Sequence, residues 1–305
     1  MQQLIQSIQL GAEKGVDACR LFHGRGHCYP GLEFVSVDWF SPVLLISLYK
    51  EPEAQWLKQL SDEITQFDST EAIENIILQH RYLKGAPSEN LKGDISGDYY
   101  AVEKGLKFRL NFKANQNVGF FLDMANCRQG LREQAKGKRV LNLFAYTCAF
   151  SVVAAEAGAA KVVNVDMAKG ALNTGRLNHQ LNDIDTRSVS YMSHDIFKSW
   201  GKIRKYGPYD MVIIDPPSFQ VGSFNVRKDY QKIFRKLPGL LAPKAQVIAC
   251  LNSPDLGFDF LRELFEEVGG FVEKGVIEPP QSFLENDANR GLKTLLFEKN
   301  TEHHD

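Results

Sequence analysis

From residue 140 onward, short apolar runs of strand length alternate with stretches of helical periodicity. Continuous apolar runs indicate strands buried on both faces, and helices between them indicate a largely parallel sheet covered on each side. We therefore predict an α/β fold with a Rossmann-like sheet. The predicted strands are 140–144, 161–166, 188–191, 209–215, 245–251 and 293–297, and the predicted helices are 120–134, 149–157, 169–181, 230–241 and 258–268.

Ligands of such sheets bind beyond the carboxyl ends of the strands. After the first strand, small residues in the run 142–150 let the backbone approach a ligand and leave helix N–H groups facing it. Asp166 ends the second strand, where a nucleotide-binding sheet places an acid for the ribose hydroxyls. Asp195 follows the third strand, where its carboxylate can accept from an adenine amine while Ile196 packs against the ring.

The fourth strand ends in Asp215-Pro216-Pro217-Ser218-Phe219. Two prolines fix the backbone there and expose carbonyl groups where the reacting atom of a substrate would lie. A single acid at a strand end is more often a helix cap than a ligand group, but an ordered series favours a cofactor site. The run after the first strand lacks the Gly-x-Gly-x-x-Gly turn, which disfavours a nicotinamide cofactor.

The N-terminal third has a different pattern. Strand-like runs at 34–39 and 43–49, helical spacing over 53–67 and an apolar run at 73–78 predict a small α+β domain. The polar, glycine-containing segment 84–98 predicts a linker or hairpin tip. We therefore predict two domains, an N-terminal substrate-presenting domain over 1–100 and a catalytic domain over 101–305.

Charge and cysteine content narrow the class of protein. The net charge is -1, yet 102–140 carries +6 and 198–244 carries +7, against -6 in 1–101. Basic blocks of this kind are compatible with RNA phosphates and equally with solvated lysines. Five scattered cysteines indicate a reducing cytoplasm. No run has the layout of a signal peptide or the length of a membrane span, so no membrane partner is expected.

The runs 140–147, 163–167 and 215–219 resemble the bacterial large-subunit rRNA methyltransferases, which include a cytosine-C5 enzyme and the guanine-N7 half of a fused enzyme. The run 117–124 resembles the lead-in segment of that family, which covers the cofactor. The likeness extends over roughly residues 15–300, without the PUA module of some members. It implies a class I methyltransferase that uses S-adenosyl-L-methionine and modifies RNA, with ribosomal RNA as the favoured partner.

The resemblance also implies a role for each matching residue. The methionine end of the cofactor would lie at the first loop, the ribose at the second strand, the adenine at the third, and the methyl-transfer site at the fourth. The implied cofactor-binding residues are Asp123, Arg128, Asn142, Phe144, Tyr146, Thr147, Asp166, Met167, Asp195, Ile196 and Asp215, and the implied catalytic residues are Asp215, Pro216, Pro217 and Phe219.

Two positions depart from the family. Its loop reads Tyr-Thr-Gly, whereas this chain has Cys148, whose side chain is expected to crowd the cofactor's carboxylate end. Methylation of cytosine C5 needs a cysteine that adds to the ring first. Alignment by strand register puts Asn252 at that position, with Cys250 two residues earlier on the same face. We therefore predict direct transfer to a ring nitrogen, with Cys250 most simply read as a buried structural cysteine.

Cys19, His23, His27 and Cys28 lie within ten residues of each other and are all possible zinc ligands, although the spacing is not that of a zinc finger. The same segment contains Arg25, which could hold a phosphate. A zinc site, an RNA contact and a structural loop remain open at this point, and no metal is predicted.

The sequence thus predicts a methyltransferase that acts on a base of RNA. One alternative is a methyltransferase for a small molecule or protein, which the acidic N-terminal domain also fits. The other is a non-catalytic cofactor-binding module, which the residue at position 148 favours. Neither the target nucleotide nor the oligomeric state follows from the sequence.

Overall fold

The structure is a computed structural model that describes residues 1–12, 15–67, 72–113, 116–217, 219–220 and 224–300. The chain forms two compact units. Unit 1 consists of Met1–Leu122 together with Gln281–Asn286, and unit 2 consists of Asp123–Pro280 together with the residues from Asp287 onward. The chain therefore leaves unit 2 for one short segment of unit 1 and then returns.

Unit 1 contains a five-stranded sheet in the order β1-β2-β3-β4-β5, in which β3 and β4 are parallel and the other neighbours antiparallel. Apolar side chains of its two long helices share one core with those of the strands. A separate hairpin, β6–β7, follows. The elements are α1 (Gln2–Ala12), β1 (Cys19–His23), β2 (Val35–Phe40), β3 (Val43–Leu48), α2 (Ala54–Phe67), β4 (Asn75–His80), β5 (Ser88–Lys92), β6 (Tyr99–Glu103) and β7 (Leu106–Leu110).

The hairpin explains why the units divide at Leu122, whereas the sequence placed the boundary near residue 100. Asp17 forms a bridge with Val102 of β6, and the ring of Phe112 lies 6.1 Å from that of Phe40. These contacts hold the segment that follows residue 100 against the unit 1 sheet.

Unit 2 contains a seven-stranded sheet in the order β10-β9-β8-β11-β14-β16-β15, parallel except at β16, which is antiparallel to both of its neighbours. This architecture confirms the predicted Rossmann-like α/β fold. Its elements are α3 (Ala125–Gln134), β8 (Arg139–Leu143), α4 (Ala149–Glu156), β9 (Lys161–Asp166), α5 (Lys169–Leu181), β10 (Val189–Ser193), α6 (Trp200–Arg204), β11 (Tyr209–Ile214), β12 (Phe219–Gln220), β13 (Phe224–Asn225), α7 (Val226–Phe234), β14 (Leu241–Leu251), α8 (Phe258–Val268), β15 (Phe271–Val276) and β16 (Lys293–Lys299).

The central strands of unit 2 are continuously apolar because both faces are covered. Leu141 and Leu143 belong to a core cluster on one face, and Val140 belongs to the cluster on the other. The same alternation repeats along β9 and β11. Burying each of these side chains contributes about 1.5–3 kcal/mol relative to leaving it in water. The strands cannot shift by one residue without exchanging their two faces, so the register of the sheet is fixed.

Several predicted boundaries were wrong. Of the segment 84–98, predicted as a linker or hairpin tip, residues 84–87 lie in the turn of the β4–β5 hairpin, whereas 88–92 form the strand β5. The strand β15 was not predicted at all. The helix predicted over 120–134 begins at Ala125, and the one predicted over 230–241 ends at Phe234. Among the described residues, no helix combines the length and apolarity needed to cross a bilayer.

Candidate active site

The candidate site lies at the carboxyl edge of the unit 2 sheet, where four adjacent parallel strands end together. Asp166 is the last residue of β9 and pairs with Ser193 at the end of β10. Asp215 directly follows β11, and Phe144 directly follows the neighbouring strand β8. The register therefore brings Phe144, Asp166 and Asp215 to one edge, as expected from the alternation of strands and helices.

The loop after β8 has an unusual backbone. Phe144, Tyr146 and Cys148 have φ angles of 58°, 46° and 62°, and they alternate with residues whose φ is not positive. Left-handed conformation costs a residue with a side chain about 1–2 kcal/mol. Such strain persists only where the surroundings overdetermine it, and it is typical of functional loops. The loop between β8 and α4 is therefore held in shape by its neighbours.

Asp166 is one of those neighbours. Its Oδ2 accepts a hydrogen bond of 2.8 Å from the backbone N–H of Tyr146, and its Oδ1 accepts one of 2.8 Å from the N–H of Ala168. The side-chain amide of Asn178 on α5 donates to the carbonyl of Thr147 at 2.9 Å. Each carboxylate oxygen of Asp166 keeps a second lone pair, so the residue can hold the loop and still accept from a ligand.

A buried polar chain runs beneath the loop. Asn142 donates to Asn164 Oδ1 at 2.9 Å, and Asn164 donates to the Ser151 hydroxyl at 2.8 Å. Ser151 Oγ lies 3.0 Å from His179 Nε2, and His179 Nδ1 lies 2.7 Å from the carbonyl oxygen of Gly175. Burial lowers the pKa of His179, so the ring is neutral, with Nδ1 as donor and Nε2 as acceptor. Each of the four residues with a donor in this network, Asn142, Asn164, Ser151 and His179, thus donates to an acceptor within it.

The network shows what the Asn142 side chain contacts, which the sequence could not show. Asn142 is 1% exposed, and its side chain is hydrogen-bonded to that of Asn164, the residue directly opposite on β9. Sequence reasoning missed Asn164, Ser151 and His179. A signal existed, since an asparagine stands in the middle of each of two apolar strands, Val140-Leu141-Asn142-Leu143 and Val163-Asn164-Val165.

The position of the Cys148 side chain bears on the crowding expected there. It is completely buried, and its Sγ is only 2.5 Å from the position that a Cβ on Gly175 would occupy. The thiol therefore packs against helix α5, in space that the absence of a side chain at Gly175 provides. Burial and nearby Asp166 raise the pKa of Cys148, so the thiol is protonated. Crowding of the cofactor's carboxylate end by Cys148 stays a prediction, and the thiol itself points toward α5.

The end of β10 is built as a helix cap. Asp195 Oδ1 accepts from the N–H of Phe197 at 2.8 Å, which is the local role of an N-cap. Ile196 is buried, whereas Met167, next to Asp166, is 51% exposed. Tyr146 is half-buried, and burial together with Asp166 raises the pKa of its hydroxyl.

At the end of β11, the carboxyl group of Asp215 has a raised pKa. Burial and the neighbouring carboxylate of Asp123 raise its pKa to about 7, and the charge of Arg128 opposes this shift. Arg128 is 2% exposed, so one buried cation lies among two carboxylates. Pro216 is buried and Pro217 exposed, while Ser218 and the side chain of Phe219 lie outside the described part of the chain.

At the end of the neighbouring strand β14, the two candidate residues Asn252 and Cys250 differ in exposure. Asn252 is exposed just beyond the strand, whereas Cys250 is completely buried. The thiols of Cys250 and Cys127 interact, and Thr294 donates to Cys250 Sγ at 3.9 Å. The interaction with Cys127, burial and Asp215 raise the pKa of Cys250 well above its ordinary value, and the hydrogen bond from Thr294 opposes this shift. The complete burial of Cys250 keeps its thiol away from a ligand, which supports the reading of Cys250 as a structural cysteine.

The Cys/His cluster of unit 1 spans β1 and the turn after it, because Cys19 and His23 are the two ends of the strand and His27 and Cys28 follow Gly24–Gly26. Both ring nitrogens of His23 have partners, with Nδ1 2.6 Å from Arg20 and Nε2 3.1 Å from Glu285. Burial and the two arginines nearby, Arg20 and Arg25, lower the pKa of His23 to about 3. Within the part of the chain that the structure describes, no three His, Cys, Asp or Glu side chains are placed to hold a metal ion.

Comparison with known proteins agrees with this arrangement. The model of the S-adenosylmethionine-dependent methyltransferase family matches residues 19–298. A ribosomal RNA large subunit methyltransferase I of Shewanella denitrificans is 32% identical over 225 residues, which is 70% of this chain and 56% of that protein. The Bacillus subtilis protein YwbD, named as a ribosomal RNA large subunit methyltransferase, is 29% identical over 79% of this chain and 62% of its own length.

A solved structure extends the likeness to the whole fold. The methyltransferase SMU.776, crystallised as a complex with SAH, superposes with a TM-score of 0.84 and 26% identity over 97% of this chain and 81% of its own. The resemblance to large-subunit rRNA methyltransferases is thereby confirmed. This chain nevertheless spans only about half the length of relatives such as those of Shewanella denitrificans and Cronobacter sakazakii, 56% and 54% respectively.

Proposed function

The chain belongs to the S-adenosylmethionine-dependent methyltransferases, and on that premise we propose that it methylates a ring nitrogen of an RNA base. The observation that carries the proposal is the strained loop after β8, fixed by Asp166 at the carboxyl edge of the sheet. A preorganised loop with an acid at this edge is the arrangement by which such sheets hold a nucleoside. The proposed location is the reducing cytoplasm, because the five cysteines are odd in number and scattered along the sequence, unlike a disulfide framework.

The residues at this edge fit S-adenosylmethionine. We assign the methionine end to the loop Phe144–Thr147, with Asn142 supporting it from below. The ribose is assigned to Asp166, which keeps free lone pairs, with Met167 exposed beside it. The adenine is assigned to Asp195 and Ile196. Cys148 packs away against α5, which weakens the case for a non-catalytic module.

We assign the methyl-transfer site to Asp215, Pro216, Pro217 and Phe219, with Asp123 and Arg128 behind Asp215. The cofactor would supply an electrophilic methyl group on a sulfonium. A ring nitrogen with a lone pair needs no covalent activation, only positioning and exclusion of water. Asp215 can accept a hydrogen bond from a neighbouring N–H of the base and so fix the nitrogen in line. The buried state of Cys250 removes the thiol that a carbon acceptor would need.

RNA is proposed as the substrate on two grounds. The similar proteins of Shewanella denitrificans and Bacillus subtilis are named for ribosomal RNA. The basic blocks 102–140 and 198–244 supply positive charge within the chain. Ribosomal RNA is the specific target we favour, and a small molecule or protein is the alternative.

The test is transfer of a labelled methyl group to a mixture of protein-free ribosomal RNA from a strain lacking the gene, ribosomal proteins and a metabolite extract. We expect the label on an RNA base. Nuclease digestion should release it in a nucleoside that is methylated on a ring nitrogen. Asp166→Ala should lower kcat/KM by about 100-fold through lost hydrogen bonds to cofactor and loop. Asp185→Asn, which removes an exposed acid distant from this edge, should leave kcat/KM unchanged. Label in protein or metabolite alone would refute the RNA proposal.

A further inference from the structure

Three side chains of unit 1 lie together at one edge of its sheet. Strands β1, β3 and β4 run in the same direction, since β1 and β3 are each antiparallel to β2 and β3 is parallel to β4. Arg25 lies two residues after β1, Tyr49 directly follows β3, and Arg81 directly follows β4. The topology therefore gathers two arginines and a tyrosine that are distant in sequence.

The two guanidinium groups converge on one ring. The Cζ of Arg25 lies 4.1 Å from the centre of the Tyr49 ring, and the Cζ of Arg81 lies 5.3 Å from it. One cation near an aromatic ring is stabilised by about 0.5–1 kcal/mol. A second cation at the same ring repels the first, so the pair is a local concentration of positive charge.

Neither Arg25 nor Arg81 forms an ion pair in the part of the chain that the structure describes. Arg81 donates through Nη1 to Gln116 O at 2.8 Å and to Gln79 Oε1 at 3.4 Å, and its Nε has no hydrogen-bond partner. Both of these acceptors are uncharged, so neither neutralises the positive charge of Arg81.

Arg20, only five residues before Arg25, shows the opposite arrangement. It forms an ion pair with Asp38, donates to His23 Nδ1, and lies 4.5 Å from the centre of the Phe283 ring. Its charge is balanced and its donors are used inside the unit. Arg20 thus has an acid as its partner, whereas Arg25 has none among the described residues.

The turn that carries Arg25 is rigid. A Cβ on Gly24 would lie 1.8 Å from the carbonyl oxygen of Leu32, and one on Gly26 would lie 1.7 Å from that of Leu284. The N–H of Asn286 also donates to the Gly26 carbonyl at 2.8 Å. The two glycines are required by these close approaches, so Arg25 is presented, exposed, on a fixed backbone. A fixed donor loses little entropy when it binds.

We infer that Arg25, Tyr49 and Arg81 form a phosphate-binding site through which unit 1 holds the RNA substrate. Arg25 can donate to phosphate oxygens through paired N–H groups, Arg81 keeps its Nη2 for the same phosphate, and the Tyr49 ring keeps the two planar groups in place. The inference rests on the proposed function only in that the phosphate belongs to RNA. It also explains how a segment with a net charge of -6 can contact RNA, since the charge that matters is local.

The test is the affinity of the full chain for a fluorescein-labelled RNA stem-loop, measured by anisotropy across a salt series between about 50 and 200 mM. Arg25→Gln and Arg81→Gln should each weaken binding about 10-fold at the low-salt end, and each should reduce the slope of log K against log salt by about one. Arg25→Lys and Arg81→Lys should keep the slope but lose part of the affinity, because lysine lacks the planar guanidinium that stacks on Tyr49.

Lys58→Gln is the matched control, because it removes one exposed positive charge from helix α2 of the same unit. Equal losses in Lys58→Gln and Arg25→Gln would overturn the inference. The melting temperature of each variant excludes loss of folding, and Arg25→Gln is expected to melt as the parent does. A parent chain that methylates RNA while both glutamine variants bind normally refutes this site alone. A parent chain that neither binds nor methylates RNA refutes the proposed substrate.

Discussion

The carboxyl edges of the two sheets are built differently. In unit 2 the polar groups under the site are buried and paired with each other, as in the chain from Asn142 to Gly175. In unit 1 Arg25 and Arg81 are charged and have no acid partner among the described residues. Internal pairing makes a loop rigid, whereas unbalanced charge is available to a ligand. The first edge is suited to shape a cofactor pocket and the second to attract a polyanion.

The largest expected effect comes from breaking the internal pairing in unit 2. Asn164→Leu removes the middle of the buried chain and leaves Asn142 and Ser151 without their partners. Each buried group left unpaired costs about 1–3 kcal/mol, so we expect the free energy of unfolding to fall by about 2–4 kcal/mol. Urea denaturation measures this change.

The control is Asn182→Ala. Its side chain is half-buried and donates to the carbonyl of Asn178 at 2.7 Å, where water can replace it. We expect a loss below about 1 kcal/mol. The double variant Asn142→Leu/Asn164→Leu removes both partners of one bond and should cost less than the sum of the two single variants. Equal costs for Asn164→Leu and Asn182→Ala would show that the network contributes nothing special.

The next effect concerns the contact between the loop and helix α5. Gly175→Ala puts a methyl group where Cys148 Sγ lies, and we expect a loss of about 1–3 kcal/mol in unfolding free energy. Gly170→Ala, on the same helix with no atom within 4 Å of the new Cβ, should instead stabilise by about 0.5–1 kcal/mol.

Cys148→Gly should rescue Gly175→Ala, because it removes the clashing sulfur and suits the φ of 62° at that position. A double variant that is no more stable than Gly175→Ala alone would mean that the two residues do not share the space. Cofactor affinity, measured by calorimetry on the same proteins, should follow stability, since the strained loop depends on this contact.

These residues also show what the sequence could predict. The strands β8, β9 and β11 were placed correctly because their apolar runs are buried on both faces, which is a strong local signal. The strands β5 and β15 were missed because they are exposed edge strands with polar residues, Ser88-Glu89-Asn90 in β5 and Glu273-Lys274 in β15. Polar edges protect a sheet against pairing with another chain, and they remove the pattern that identifies a strand.

Some features of the candidate site could likewise be predicted from the sequence, and others could not. Position along the strands placed Asp166, Asp195 and Asp215 at one edge, since parallel strands end together. The direction of the Cys148 side chain could not be predicted, because it depends on a glycine 27 positions later on another helix. The pairing of Arg25 with Tyr49 and Arg81 likewise depends on the order of strands, which the sequence does not state.

The smallest expected effect tests Asp215, a carboxylate of unit 2 whose charge is not fully balanced. Its pKa is about 7 in the folded protein against an ordinary value of 3.8, so the folded state binds a proton that the unfolded state has released. Between these values the unfolding free energy falls as pH rises, and the charged form is the destabilising one. Asp215→Asn removes that charge. We expect it to raise stability by about 1–2 kcal/mol at pH 8 relative to the parent, and to have little effect near pH 4. Thermal denaturation of both proteins across this range measures the difference, and parallel curves would place the carboxyl of Asp215 in ordinary solvent.

The kcat/KM of the parent should change near pH 7, and this inflection should be absent in Asp215→Asn if the same carboxylate accepts a hydrogen bond from the base.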